Sequence, residues 1–177
     1  MSFDFTLDHF ALFGLPRQFR LDPAELERRY RELQSRFHPD RVAALGDAEK
    51  RHHLQAATRI NEAYQALKRP LARARYLLQL GGVDTGEETN TAMPADFLMA
   101  QMEWREQIAE ARASRHVGAL EKLGRELRAE IQALESLLAG LIDDKQDVVR
   151  AALAVRKLRF MERLDQEIGD AIEAALD

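Results

Sequence analysis

A chain of 177 residues with 46% hydrophobic content is long enough for one or two small cores, and its formal charge of −4 gives no global pull toward nucleic acid or an anionic membrane. The absence of cysteine excludes disulfides, thiolate metal sites and thiol catalysis. Leu, Ala, Glu and Arg dominate, which favours helix over sheet, and neither a bilayer-length apolar run nor a basic-then-apolar leader is visible, so the expectation is a soluble, intracellular, all-α protein.

In chain order, Phe3 to Leu15 is apolar-rich, and Asp8 to Phe13 reads as a short helix stopped by Gly14 and Pro16. Asp22-Pro23-Ala24-Glu25 combines a capping acid, a proline at the first helical position and an early glutamate, a strong helix start. Leu26, Tyr30, Leu33 and Phe37 then recur four, three and four apart and form one apolar stripe. Pro39 disfavours helical geometry at His38, so the helix ends there. A polar stretch runs from Arg41 to Gly46, and Asp47 is expected to cap a longer helix with its stripe at Ala57, Ile60, Tyr64 and Leu67. These two helices are expected to pack antiparallel with their connection at one end. A shorter helix follows from Pro70 to Leu80, closed by Gly81-Gly82. It is apolar enough to bury Tyr76, Leu77 and Leu80 against the second half of the chain, predicting a fixed angle between domains.

From Val83 to Met93 the periodicity is lost, which marks a domain boundary. Three helices are predicted beyond it: Pro94 to Arg112, Arg115 to Ala139, and Asp144 to Leu176, together a three-helix bundle. The second carries the cleanest pattern, with Val117, Leu120, Gly124, Leu127, Ile131, Leu134, Leu138 and Leu141 three and four apart. The domain plan is 1–75, a connection over 76–93, and 94–177.

Two features point outward. The first is His38-Pro39-Asp40, a short rigid tripeptide offering a donor, an acceptor and a charge at the end of a helix whose outer face bears Arg28, Arg29, Arg31 and Arg36, with Arg41 just beyond. Glu25, Glu27 and Glu32 partly neutralise these arginines, so a merely solvated charged face is the competing reading. The second lies on the first bundle helix. Phe97, Gln101, Trp104, Ile108 and Ala111 define its core face, whereas Leu98, Met99 and Met102 fall well off it beside Glu103, Glu106 and Glu110. An apolar group ringed by acids suits an adaptable partner surface, although packing against a flanking helix fits the pattern equally. On the last helix Phe160 points away from the stripe of Leu158 and Met161, as an exposed contact or as a residue buried against another bundle helix.

A short apolar helix, a basic amphipathic helix, His-Pro-Asp and then Ile60-Asn61-Glu62-Ala63-Tyr64 resemble the J domain, the module of co-chaperones for DnaK-type ATPase chaperones, over roughly residues 8–75. Leu7 through Pro16, the run from Pro70 to Leu78, Phe97-Leu98-Met99 and Val155 through Phe160 extend the resemblance across nearly the whole chain to the HscB family of iron–sulfur cluster assembly. The resemblance implies that His38, Pro39, Asp40 and the arginines Arg28, Arg29, Arg31, Arg36 and Arg41 contact the ATPase chaperone (HscA-like), with Asp40 meeting a chaperone arginine. It also implies that Leu98, Met99, Met102, Glu103, Glu106, Glu110 and Phe160 bind the cluster scaffold protein (IscU-like), so that one protein delivers a client to an ATPase. Delivery of some other client, as a general J-domain co-chaperone, is the alternative.

Two positions depart from the family pattern: Arg41 stands where J domains usually carry lysine, and Met102 where leucine is more usual. The cysteine zinc module of mitochondrial relatives is absent, which favours a bacterial cytoplasmic protein with no cofactor. A hydrolase built on His38 and Asp40 lacks a cleft signature. A zinc site from His9, His38, His52 and His53 lacks a familiar spacing, the last two reading as surface residues at a polar helix start. A nucleic-acid role for the arginines lacks stacking aromatics and net positive charge, and no membrane contact is indicated.

Overall fold

The computed structural model describes residues 3–38, 46–86 and 93–176, and among them there are helices and no strand. Contacts divide the chain into two compact units, Met1–Gly81 and Gly82–Asp177.

The first unit contains α1 (His9–Leu12), α2 (Pro23–Phe37), α3 (Asp47–Lys68) and α4 (Pro70–Leu80). Each helix start reflects local chemistry. The carboxylate of Asp8 accepts from the Ala11 amide, and that of Asp22 accepts from the Ala24 amide with Pro23 in the first turn, satisfying donors that no helical carbonyl reaches. Gly14 turns the chain out of α1 at φ +63°, a conformation side chains disfavour. For α3 the cap is Gly46 rather than Asp47, which sits inside the first turn; glycine has no side chain to cap with, so Asp47 and Glu49 contribute through the helix dipole instead. The core joins Phe10, Phe13, Leu26, Phe37, Ile60 and Leu67. On α3 the deepest alanines are Ala56 and Ala63, fully buried, while Ala57 is only half-buried. The expected stripe is thus rotated by one residue at its start.

Tyr76 and Leu77 of α4 are partly buried against this same core, and Leu80 is exposed. The Tyr76 hydroxyl accepts from the His9 amide at 3.0 Å, and the two rings stack at 4.2 Å. Burial, with Arg59 nearby, pushes the His9 imidazole below its ordinary range, which suits a neutral ring.

The second unit contains α5 (Ala95–Ala113), α6 (Val117–Ala139) and α7 (Val148–Leu176). Leu120, Leu127, Ile108, Leu164 and Ile168 form its core, and Arg128 of α6 reaches Asp165 of α7 at 3.0 Å. The last two helices differ from expectation where they meet. α6 ends at Ala139 as expected, but the backbone then continues into a π-helical turn over Gly140–Asp144, with the Lys145 amide donating to the Gly140 carbonyl at 3.0 Å. That turn keeps Leu141 buried, and α7 then begins at Val148, later than the predicted Asp144.

Candidate functional site

The stripe of α2 faces α3, and this fixes where its arginines point. Tyr30 and Tyr64 stack at 4.0 Å, the Tyr30 hydroxyl donates to Asn61 Oδ1 at 2.9 Å, and the Tyr64 hydroxyl donates to Glu27. With rotation about the helix axis locked in this way, Arg28, Arg31 and Arg36 are exposed and Arg29 is half-exposed. His38 closes the helix in extended geometry (φ −62°, ψ 131°) and is exposed. Pro39, Asp40 and Arg41 lie outside the described residues.

The arginines form an ordered ladder with acids of their own helix. Arg28 bridges Glu25 at 2.6 Å and Glu32 at 2.5 Å, Arg29 reaches Glu25 at 2.8 Å, and Arg31 reaches Glu27 at 2.7 Å. The spacing of three and four residues places these groups as neighbours on a helix surface. The guanidinium of Arg36 lies over the Phe37 ring, 5.7 Å from its centre. Hydrogen bonds from Arg28 and then Arg29 hold the Glu25 carboxyl down at about 2, and bonds from Tyr64 and then Arg31 lower Glu27. A carboxylate whose folded value lies below its ordinary 4.5 stabilises the fold above that value and stops doing so as the pH falls through its folded value. The urea midpoint of the first unit, followed by tyrosine near-ultraviolet circular dichroism, is therefore expected to fall between pH 5 and pH 2. Because the pairs are exposed, molar salt is expected to flatten that slope; a midpoint that rises on acidification would contradict it.

In the second unit, Ile108 and Ala111 are buried and Phe97, Gln101 and Trp104 half-buried, so α5 presents this face to its own core. The opposite side leaves Leu98, Met99 and Met102 at 44%, 61% and 72% exposure, with Glu103, Glu106 and Glu110 also exposed around them. Phe160 is less open than these three. It is half-buried against the core, edge-on to Phe97 at 5.8 Å, with the Arg105 guanidinium over its face at 5.4 Å. Of the two readings of Phe160, partial burial against another bundle helix is the one observed, and the groups that cover it belong to α5.

His52 and His53 are likewise half-buried rather than on the surface: His52 meets Phe5 at 5.5 Å and His53 meets Phe37 at 5.6 Å. Among the described residues no group of three or more His, Asp or Glu side chains is placed to hold a metal ion. Among them, too, no helix is long and apolar enough to cross a membrane.

Comparison with known proteins matches both units in order. The DnaJ domain model covers residues 8–76, and the model described as the HSCB C-terminal oligomerisation domain covers 93–169. The chain is 60% identical, over the full length of both proteins, to the Co-chaperone protein HscB homolog of Chromobacterium violaceum. It is 50% identical to that of an Azoarcus species over 98% of each chain. Among solved structures it is similar to chaperone HscB from Vibrio cholerae (35% identity, TM-score 0.84, 96% of this chain and 99% of the other). It is also similar to human co-chaperone protein HscB (30% identity, TM-score 0.88, 96% and 84%).

Proposed function

The chain belongs to the HscB family of J-domain co-chaperones, which act with a DnaK-type ATPase in iron–sulfur cluster assembly, and from this premise we propose how its two surfaces divide the work. The first unit, through His38-Pro39-Asp40 and the arginine row of α2 (Arg28, Arg29, Arg31, Arg36, then Arg41), docks an acidic face of an HscA-like chaperone and triggers its ATP hydrolysis. The second, through Leu98, Met99 and Met102 with Glu103, Glu106 and Glu110 around them, carries an IscU-like scaffold to that chaperone. Phe160, half-buried beside Phe97, completes that scaffold-binding surface. The chain itself needs no active site and no cofactor, because the hydrolysis happens on its partner. A bacterial cytoplasmic setting, where such scaffolds are loaded, fits this role.

The observation that carries the reading is that His38 ends the same helix whose exposed side bears the guanidinium row, so that one rigid element offers both a steering charge and a contact point. Guanidinium forks recognise carboxylates with defined geometry, and a buried charge at a contact is costly unless it is paired. Asp40 is the only acid of the tripeptide, and pairing it with a chaperone arginine would make the contact specific.

The test is ATPase turnover of a DnaK-type chaperone with and without this protein and the scaffold. Asp40→Ala is expected to reduce stimulation to the basal rate with unchanged far-ultraviolet circular dichroism. Stimulation that survives the substitution would sink the trigger mechanism.

A further inference from the structure

Two phenylalanines ahead of the first helix touch both helix ends that flank the tripeptide. Phe3, only 6% exposed, meets the Phe37 ring edge-on at 5.1 Å and the Phe5 ring at 4.6 Å. Phe5 in turn meets His52 at 5.5 Å, His52 lies 6.3 Å from His53, and His53 returns to Phe37 at 5.6 Å. The rings thus close a circuit in which Phe37 belongs to the last turn of α2 and the histidines to the second turn of α3. The tail is shaped to reach them: Asp4 accepts from both the amide and the hydroxyl of Thr6, at 2.9 and 2.6 Å, turning the backbone around Phe5.

We propose that Phe3 and Phe5 are positioning residues for the co-chaperone reaction, clamping the end of α2 to the start of α3 so that His38 leaves α2 in one fixed direction. This rests on the tripeptide being the trigger. The clamp answers a local weakness. Helix ends fray unless their terminal groups are satisfied, and α3 starts after Gly46 with no side-chain cap. Edge-to-face aromatic contacts hold ring orientation as well as burying area; three of them run from Phe37 through Phe3 and Phe5 to His52, and the tilted contact of His53 with Phe37 closes the circuit, so the two helices are restrained against sliding and against twist. Phe5 is 42% exposed, more than folding alone asks of a phenylalanine, yet its exposed position is the one that bridges the tail to His52.

The experiment measures stimulated ATPase turnover of the DnaK-type chaperone against the concentration of full-length protein carrying Phe5→Ala, Phe3→Leu, Phe5→Trp or Asp40→Ala. Tyrosine near-ultraviolet circular dichroism confirms in each case that the first unit is folded. Phe5→Ala and Phe3→Leu are expected to lower maximal stimulation roughly three- to tenfold, as for residues that couple to a site without touching its ligand. The half-saturating concentration is expected to move by no more than about twofold, since the arginine row is untouched, and Phe5→Trp is expected to restore the maximum. Wild-type maxima for both Phe5→Ala and Phe3→Leu would overturn the clamp, as would a shift confined to the half-saturating concentration, which would make the tail part of the docking face. If Asp40→Ala still stimulates, the trigger reading fails and the clamp with it. If Asp40→Ala is inactive while Phe5→Ala and Phe3→Leu are both fully active, the clamp alone is wrong.

Discussion

Phe10→Ala is expected to cost the first unit about 3–5 kcal/mol, the range for truncating a buried aromatic where the core cannot collapse. Phe10 is fully buried at the centre of its cluster, next to Tyr76, whose hydroxyl also holds the start of α1. For a unit of this size that loss is a large share of the total, since native stability runs at about 0.05–0.15 kcal/mol per residue. The chain carries its own reporters: its three tyrosines, Tyr30, Tyr64 and Tyr76, lie in the first unit, and its one tryptophan, Trp104, lies in the second. The tyrosine transition is expected to move to much lower urea while the Trp104 fluorescence transition stays in place. Equal movement of both signals would mean that the units unfold together.

The largest functional effect is expected from replacing Leu98, Met99 and Met102 together by alanine. All three project away from the core of their unit, so the triple variant is expected to keep the wild-type Trp104 transition, as surface substitutions generally do. Binding is a different matter. Truncating clustered apolar anchors at the centre of an interface commonly costs 2 kcal/mol or more at a few positions, so affinity for the scaffold, measured by titration calorimetry, is expected to fall on the order of a hundredfold. Stimulation of the chaperone in the absence of scaffold is expected to be unchanged. Unaltered scaffold affinity would remove the patch from the proposed interface. Leaving Phe160 out of the variant keeps the measurement clean, because its ring braces Phe97 and its loss would disturb the fold as well as the surface.

What could be read from the sequence was what local chemistry dictates. Asp22-Pro23 starts α2 and Gly81 follows the last residue of α4 because caps and breakers act within one turn. The four-three-four stripe from Leu26 to Phe37 fixed the inward face of α2 and, with it, the outward face of Arg28 and Arg31. Leu98, Met99 and Met102 were legible for the same reason, since a core face known from Trp104 and Ile108 leaves them on the far side. What escaped depends on neighbours distant in sequence. Phe160 stood between two readings, and the periodicity within α7 could not choose between them because Phe97 and Arg105, which cover it, belong to another helix. His52 and His53 are half-buried against Phe5 and Phe37, each beyond the reach of their own helix. Phe3 carries no periodic signal at all, being a single apolar residue in a tail. The π-helical turn at Gly140–Asp144 arises where α6 must keep Leu141 inside before the chain reverses, and Gly140 alone does not announce it.

The ladder on α2 has a kinetic consequence. Within the helix four arginines stand against three glutamates, a surplus of a single charge. Beyond a screening length of about 8 Å an approaching acidic partner therefore feels a field from α2 much smaller than four arginines alone would set up, and what steering there is comes from the net charge of the whole unit and weakens with ionic strength. Selection is deferred to touching distance. There, a partner carboxylate must displace Glu25 or Glu27 from a guanidinium already held in place, an exchange of counter-ions in which little side-chain order remains to be lost.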